Sequence, residues 1–439
     1  MNDISSSSME ESTERFSHEF EGDIPPDIDI PHRSHILIIS RDQSYLTHGL
    51  HKFPAKFFPE LPRFLIRKYT RVNDVVLDPM CGSGTAVLEA VLNRRRAIGL
   101  DIDPIAMLVT KVKTTPINPS TLRTCFNELT ESITQHFSDG YKPDLPEFNY
   151  RDNWFRDFVL RELGIISDSI QDIQPSFNDN ISDFLRVVFS SIIKDVSNAD
   201  PHCTRTVIRK GNIRDISPGE TLSLFKSTLA SSIDSMNDFT KVVSNIDRLD
   251  CKLYPLSAIE TGLKNNSIDL ALTSPPYINA VDYPRTHQLE MYWLGLIKDE
   301  PLSKMKRKYI GTETVYKEEY SDLHQLGVSS LDTLLSKIYD VDPRRSFIAY
   351  KFFKDMTAQL KETYRIIRPG GHYCIVIGNN VMRGIRVKSH DILAEIALSD
   401  DVGFELDRMF FSGLIRHFIK IPRRERMNGE WVIILKKPL

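Results

Sequence analysis

The sequence predicts a doubly wound α/β fold with a mostly parallel sheet, an antiparallel edge strand and a helical insertion. Three observations point there. Residues 73–104, NDVVLDPMCGSGTAVLEAVLNRRRAIGLDIDP, read as a strand, a glycine-rich turn, a helix and a second strand, which is the opening unit of such a sheet. Far downstream, FIAYKFFKDMTAQLKETYRIIRPGG followed by HYCIVIG reads as a second helix-then-strand pair. The chain closes with two strand-like runs, GFELDRMFFS and EWVIILKK, which can pair antiparallel at the sheet edge.

Taken in order, residues 1–32 are rich in Ser and acidic residues with little to bury, so they are expected to form a mobile tail. THGLHKFPAKFFPELPRFLIRKY reads as a loop and then a helix starting near Pro59, because proline suits a first helical turn. DVVLD is a β-branched run that fits a parallel strand buried on both faces. AVLEAVLNR repeats its apolar residues at helical spacing, and RAIGLD reads as the next strand. Residues 116–245 are helical and polar in pattern, an insertion dividing the main domain into 33–115 and 246–439. Strands resume with CKLYPL and IDLALT, and RKGNIRDI at 209–216 rivals CKLYPL as the third strand. A second insertion, 278–344, shows little periodicity beyond HQLEMYWLGLI. In the following helix Phe353, Met356, Leu360, Tyr364 and Ile367 share one stripe, ended by Pro369-Gly370-Gly371.

Composition narrows the function classes. Of 439 residues, 41% are hydrophobic and 26% charged, as in a soluble globular protein. No apolar run has the length of a membrane span, and the start lacks a signal pattern, so a cytoplasmic location is expected. Cys81, Cys125, Cys203, Cys251 and Cys374 are scattered without metal-ligand spacing, which argues for free thiols and against structural zinc. The formal net charge of -3 advertises no polyanion, so a nucleic-acid partner would need local patches. Candidates are 94–96, 304–309, 381–388 and 416–426.

A glycine-rich turn after a first parallel strand is where such sheets bind cofactors. Gly82 and Gly84 would let the backbone turn sharply and approach a ligand. GSGTAV lacks the third glycine of a dinucleotide fingerprint, and no lysine follows as a nucleoside-triphosphate loop needs. Asp101 ends the second strand, where an acid commonly accepts hydrogen bonds from ribose hydroxyls, and Asp103 suits a helix cap. Later, DLALTSPPYINAVDY runs a buried strand into Pro275-Pro276, which fix φ and remove backbone donors, and so end it.

DPMCGSGTAVLEA, then IGLDIDP, then TSPPY after a later strand resembles the S-adenosylmethionine-dependent amino-methyltransferases of DNA, in particular their N4-cytosine and N6-adenine group. HGLHKFPAKFFPELPRFLI is similar to that group's motif against the methionine end of the cofactor, and IIRPGGHYCIVIGN to its fifth strand. The likeness covers roughly 45–113 and 251–439. It implies a Rossmann-like methyltransferase fold with S-adenosyl-L-methionine as cofactor. Asp78, Gly82, Gly84 and Thr85 would bind the cofactor from the turn, Asp101 its ribose, and Phe53, Pro54, Lys56 and Phe57 would form the opposing wall. The family often has an acid after its third strand to read the adenine; this chain offers Ser257 there.

The resemblance makes Ser274, Pro275, Pro276 and Tyr277 the catalytic turn. An exocyclic base amine has its lone pair delocalised into the ring, so methyl transfer needs acceptors that localise it. The Ser274 hydroxyl and a carbonyl beside the proline pair can accept, and Tyr277 can stack on a base flipped out of double-stranded DNA. A C5-cytosine enzyme would need a thiolate on this turn, where no cysteine stands. In the family, Ser at the first position goes mainly with cytosine N4, and Asp or Asn with adenine N6. The reading is a site-specific N4-cytosine DNA methyltransferase of a restriction–modification system, leaving room for a cognate restriction endonuclease acting on the same site. An N6-adenine enzyme, a tRNA N2-guanine enzyme and an inert DNA-binding protein on the same fold stand as alternatives. Either insertion is a candidate for target recognition.

Overall fold

The computed structural model describes residues 16–439 except 210, 212–213, 247–248, 279–280, 298–301 and 415–428. The chain opens with β1 (His18–Glu21) and β2 (His35–Ile39), then α1 (Glu60–Tyr69), β3 (Val75–Asp78), α2 (Thr85–Leu92), β4 (Arg96–Leu100) and α3 (Pro104–Thr114). The insertion supplies α4 (Pro119–Ser138), α5 (Arg151–Trp154), α6 (Asp157–Ile173), α7 (Asp179–Val196) and α8 (Glu220–Val243). β5 (Cys251–Tyr254) and β6 (Ile268–Thr273) follow, then α9 (Tyr283–Thr286), α10 (Gln288–Trp293), α11 (Leu302–Arg307), α12 (Ser329–Tyr339) and α13 (Pro343–Ile366). The remaining elements are β7 (Ile367–Ile377), a hairpin of β8 (Asn380–Met382) and β9 (Ile385–Val387), α14 (Ser389–Leu398), β10 (Glu405–Leu414) and β11 (Gly429–Lys436).

Nine strands form one sheet in the order β1-β2-β10-β11-β7-β6-β3-β4-β5, in which only β11 runs against its neighbours. Chain order runs outward from β3 through β4 to β5, then returns to β6 and β7 on the other side. That reversal between β3 and β6 is the switch point where doubly wound sheets leave a crevice at their carboxyl ends.

The strands are apolar on both faces, as burial between helices requires. Val76, Leu270, Leu272, Cys374, Val376, Val432 and Ile434 join one core with α1, α2, α3 and the insertion helices. Val75, Leu77, Ala271, Tyr373, Ile375, Ile433 and Leu435 join the other with α12, α13 and α14. Alternation along each strand divides the two sets, as the two-residue period dictates. The 116–245 helices therefore share a core with the sheet.

Several expectations need correction. The tail does not extend through residue 32: β1 pairs parallel with β2, and Ile24 and Ile30 are buried. Two isoleucines and one alternating strand suffice to dock a segment whose composition is otherwise polar. Residues 1–15 lie outside the described residues. The antiparallel strand is not at the edge, because β11 sits between β10 and β7 and the added pair β1-β2 caps β10. The long helix starts at Pro343, where Asp342 caps it by accepting from Arg345 N at 3.1 Å. It ends at Ile366, and β7 begins at once and runs through Pro369-Gly370-Gly371. Gly371 is needed there because a Cβ would lie 2.8 Å from the Asp269 carbonyl oxygen. CKLYPL, not 209–216, carries the third strand: β5 lies parallel to β4, and the described residues of 209–216 hold none.

Candidate active site

β3, β4 and β6 end side by side, delivering Asp78, Asp101 and Ser274 to one crevice. Its empty volume, open mouth included, is about 840 Å³. Phe53, Pro54, Lys56 and Phe57 line one wall, and Asp78, Gly82, Thr85, Asp101 and Ser257 line the floor and far side. Ser274 and Pro276 close it at the end of β6.

Local rules explain the cradle. Gly82 and Gly84 have φ of +49° and +75°, the left-handed region that side chains disfavour. A Cβ on Gly82 would sit 3.4 Å from the Phe53 ring, so the missing side chain keeps the gap between turn and wall. Gly84 differs from the expectation, since it does not line the cleft. A Cβ there would be 2.6 Å from the Thr110 side chain, so this glycine packs α2 against α3. The Thr85 hydroxyl is buried, lines the cleft and has no hydrogen-bond partner, as a group meant for a ligand would be.

Asp101 holds the turn as well as facing the cleft. Its carboxylate accepts the Gly82 N–H at 2.8 Å and the Asp103 N–H at 2.9 Å. Asp103 caps α3, accepting from Ile105 N at 2.8 Å and Ala106 N at 3.2 Å, as its position foretold. Asp78 is buried and accepts from Met80 N at 3.2 Å. The wall is anchored from behind by buried Glu89 on α2, which takes the Tyr45 hydroxyl, His48 Nε2 at 3.0 Å and Arg63 Nε at 2.9 Å.

Burial pushes the Asp78 and Asp101 carboxyls up to about 7; the Asp103 charge adds to it for Asp101, and the Asp101 charge for Asp78. S-adenosylmethionine brings cationic groups and ribose hydroxyl donors, which favour the ionised acids. Affinity is therefore expected to be complete above pH 7 and to fall as pH drops through it, by at most about tenfold per pH unit for each group. Calorimetric titration between pH 8 and 5.5 checks this, and Asp101→Asn should flatten the profile.

The turn at Ser274–Tyr277 is held from several sides. Pro275 is buried, Asn380 Nδ2 donates to the Ile278 carbonyl at 2.9 Å, and Gly311 lies against the Tyr277 carbonyl. Tyr277 itself does not line the cleft. Its ring packs on the α12–α14 side of the sheet and its hydroxyl donates to Glu430 at the start of β11. Burial and the Glu430 carboxylate together raise the Tyr277 pKa, keeping its hydroxyl protonated as a donor.

Sequence reasoning missed Glu430, Tyr283 and Tyr309. Tyr283 and Tyr309 line the cleft, and the Tyr309 hydroxyl donates to Asp103 at 3.1 Å. Phe53 stacks with both Tyr283 and His287, with centroids 5.9 and 4.8 Å away. Only the aromatic character of VDYPRTH hinted at this, since nothing local in the sequence says which ring meets which.

The basic patches are mostly spent within the fold. Arg95 and Arg96 bond carbonyls at the amino end of β4, away from the cleft. Lys306 pairs with Asp282 at 2.8 Å, Arg307 with Glu319 at 2.9 Å and Arg383 with Asp342 at 2.9 Å. Residues 416–426 lie outside the described residues. Among the described residues no helix is long and apolar enough to cross a membrane.

The DNA methylase family model, of the N6/N4 type, matches residues 15–111. That stretch contains the wall, the glycine turn and Asp101, and stops before the catalytic turn. A Type II methyltransferase of Kocuria varians, M.MvaI, is 26% identical over 370 residues, 80% of this chain and 81% of that protein. M.BsoBI of Geobacillus stearothermophilus, also a Type II methyltransferase, is 23% identical over 82% of this chain and 78% of its own length. A solved SAM-dependent methyltransferase from Methanosarcina mazei covers 85% of this chain and 97% of its own at 12% identity and a TM-score of 0.31, too slight a likeness to bear on function. The family match, the relatives and the cradle together support a DNA amino-methyltransferase with S-adenosylmethionine as its cofactor.

Proposed function

We propose that this protein methylates the N4 amine of cytosine at specific sites in duplex DNA, as the modification enzyme of a restriction–modification system. The observation that carries the reading is that Ser274 and Pro276 line the same cleft as Asp78, Gly82 and Asp101. Acceptor turn and cofactor cradle thus face one space. Ser274 is also the residue that goes mainly with cytosine in the family this chain resembles, and Type II methyltransferases are among its relatives.

When bound, S-adenosylmethionine supplies a methyl group on a positively charged sulfur. Asp78, Gly82, Thr85, Asp101 and Ser257 would hold it, with Phe53, Pro54, Lys56 and Phe57 opposite. Ser274 and a carbonyl beside the proline pair would accept the two amine hydrogens, drawing the nitrogen lone pair out of the ring. The rigid turn fixes these acceptors before the base arrives, so little reorganisation is left for the reaction. Tyr277 would back the turn rather than stack on the base, its ring packed on the α12–α14 side and its hydroxyl bonded to Glu430. The product's proton leaves to water, and no strong base is required.

The test is incubation with methyl-labelled cofactor and mixed-sequence DNA, digestion to nucleosides, and identification of the methylated base by mass. N4-methylcytosine is expected. N6-methyladenine would reverse the base assignment, label only in RNA would reverse the substrate, and DNA binding without label would favour the inert reading.

A further inference from the structure

Beside the cleft lies a second, smaller pocket, about 490 Å³ with its open mouth included. Two stretches far apart in the sequence build it: Arg205 comes from the helical insertion, while Asp282, Lys306, Thr312 and Glu313 come from the second insertion, 278–344. Both stretches that the sequence offered for target recognition therefore meet here. Tyr283, Tyr309 and Ile310 line this pocket and the cleft, and so form the partition between them. The partition is tied on both flanks. Tyr309 donates to Asp103 of the cofactor cradle at 3.1 Å. Gly311, at φ +78°, approaches the catalytic turn so closely that a Cβ would lie 3.2 Å from the Tyr277 carbonyl oxygen. An occupant pressing on the partition bears on the cradle and the turn together.

The lining selects the chemistry of that occupant. Tyr283, Tyr309 and Pro284 offer flat surfaces, which suit a planar ring. Asp282 is paired with Lys306 at 2.8 Å and Glu313 with Arg345 at 2.8 Å. These groups give donors and acceptors with balanced charge, fitted to the edge of a neutral heterocycle. Arg205 is exposed and pairs with no acidic side chain among the described residues, leaving one cation for a phosphate. Ser274 does not line this pocket, so the occupant is not the amine under reaction.

We propose that the pocket is a subsite for a nucleotide of the recognition sequence neighbouring the target base, with Arg205 holding its phosphate and the Asp282–Lys306 and Glu313 groups reading its edge. This inference rests on the DNA-methylating reading above. It makes the insertion and the second connection parts of one reader whose occupancy is felt at the catalytic turn.

The test uses the full chain and duplex oligonucleotides carrying the site that the wild type methylates, together with every single base-pair change at positions flanking the target. Arg205→Ala should lower kcat/KM on the cognate duplex about tenfold, through KM, with cofactor affinity unchanged. Thr312→Trp, which fills the pocket, should cut discrimination at one flanking position from about 100-fold to under about 10-fold while other positions keep theirs. If both variants discriminate as the wild type does at every position, or lose cofactor binding with activity, the subsite is overturned and the methylation reading stands. If the wild type methylates no DNA, both fall.

Discussion

Ser274→Ala is expected to lower the single-turnover methylation rate about 100- to 1,000-fold, the range seen when one preorganised polar group at a reacting atom is removed, with cofactor affinity unchanged. The hydroxyl stands at the end of β6, half-buried and facing the cleft that holds the cradle. An acceptor there strengthens its hydrogen bond as the amine gains positive character, so it acts on kcat more than on KM. Asn at the same position retains a carbonyl acceptor and should recover part of the rate, which alanine cannot. Rapid-quench incorporation of labelled methyl, beside calorimetric cofactor binding, separates the two effects. An unchanged single-turnover rate in Ser274→Ala would remove this residue from the mechanism.

The second large effect is expected at Tyr277. Replacing it by alanine removes both the packed ring behind the turn and its bond to Glu430, for a loss of about 100-fold in kcat/KM on packing and hydrogen-bond magnitudes. Tyr277→Phe keeps the ring and releases only the hydroxyl, so about a tenfold loss is expected for a bond to a charged acceptor. Glu430→Ala should match it, and the double variant with Tyr277→Phe should be no worse than either single one, because both remove the same interaction. The single-turnover methylation rate reports the displaced turn directly, and it should fall further in Tyr277→Ala than in Tyr277→Phe. Additive losses in the double variant would mean that Glu430 acts elsewhere and does not position the turn.

Much of the site was legible because its chemistry is local. Gly82 must adopt a positive φ, Asp101 must end a strand, and two prolines must end another; each requirement acts within a few residues and so leaves a mark there. The strands carrying these groups also announced themselves, since burial on both faces requires continuous apolar runs. The misreadings arose where the answer depends on a distant partner. Gly84 looked like a second ligand-facing glycine, but the reason for it is Thr110 on the next helix. Residues 18–30 looked unfit to fold until β10 offered β2, and through it β1, a place on the sheet.

Short segments announced the α/β class, the glycine turn at 82–84 and the proline turn at 275–276, since backbone restriction and apolar periodicity are local properties. Packing at long range set the rest: Asp78, Asp101 and Ser274 face one cleft, and Glu430 takes the Tyr277 hydroxyl. The same packing brought Arg205, Asp282 and Lys306 around one pocket. These relations are set by strand order and by which helix covers which face, and such long-range contacts arise from burying the whole core at once.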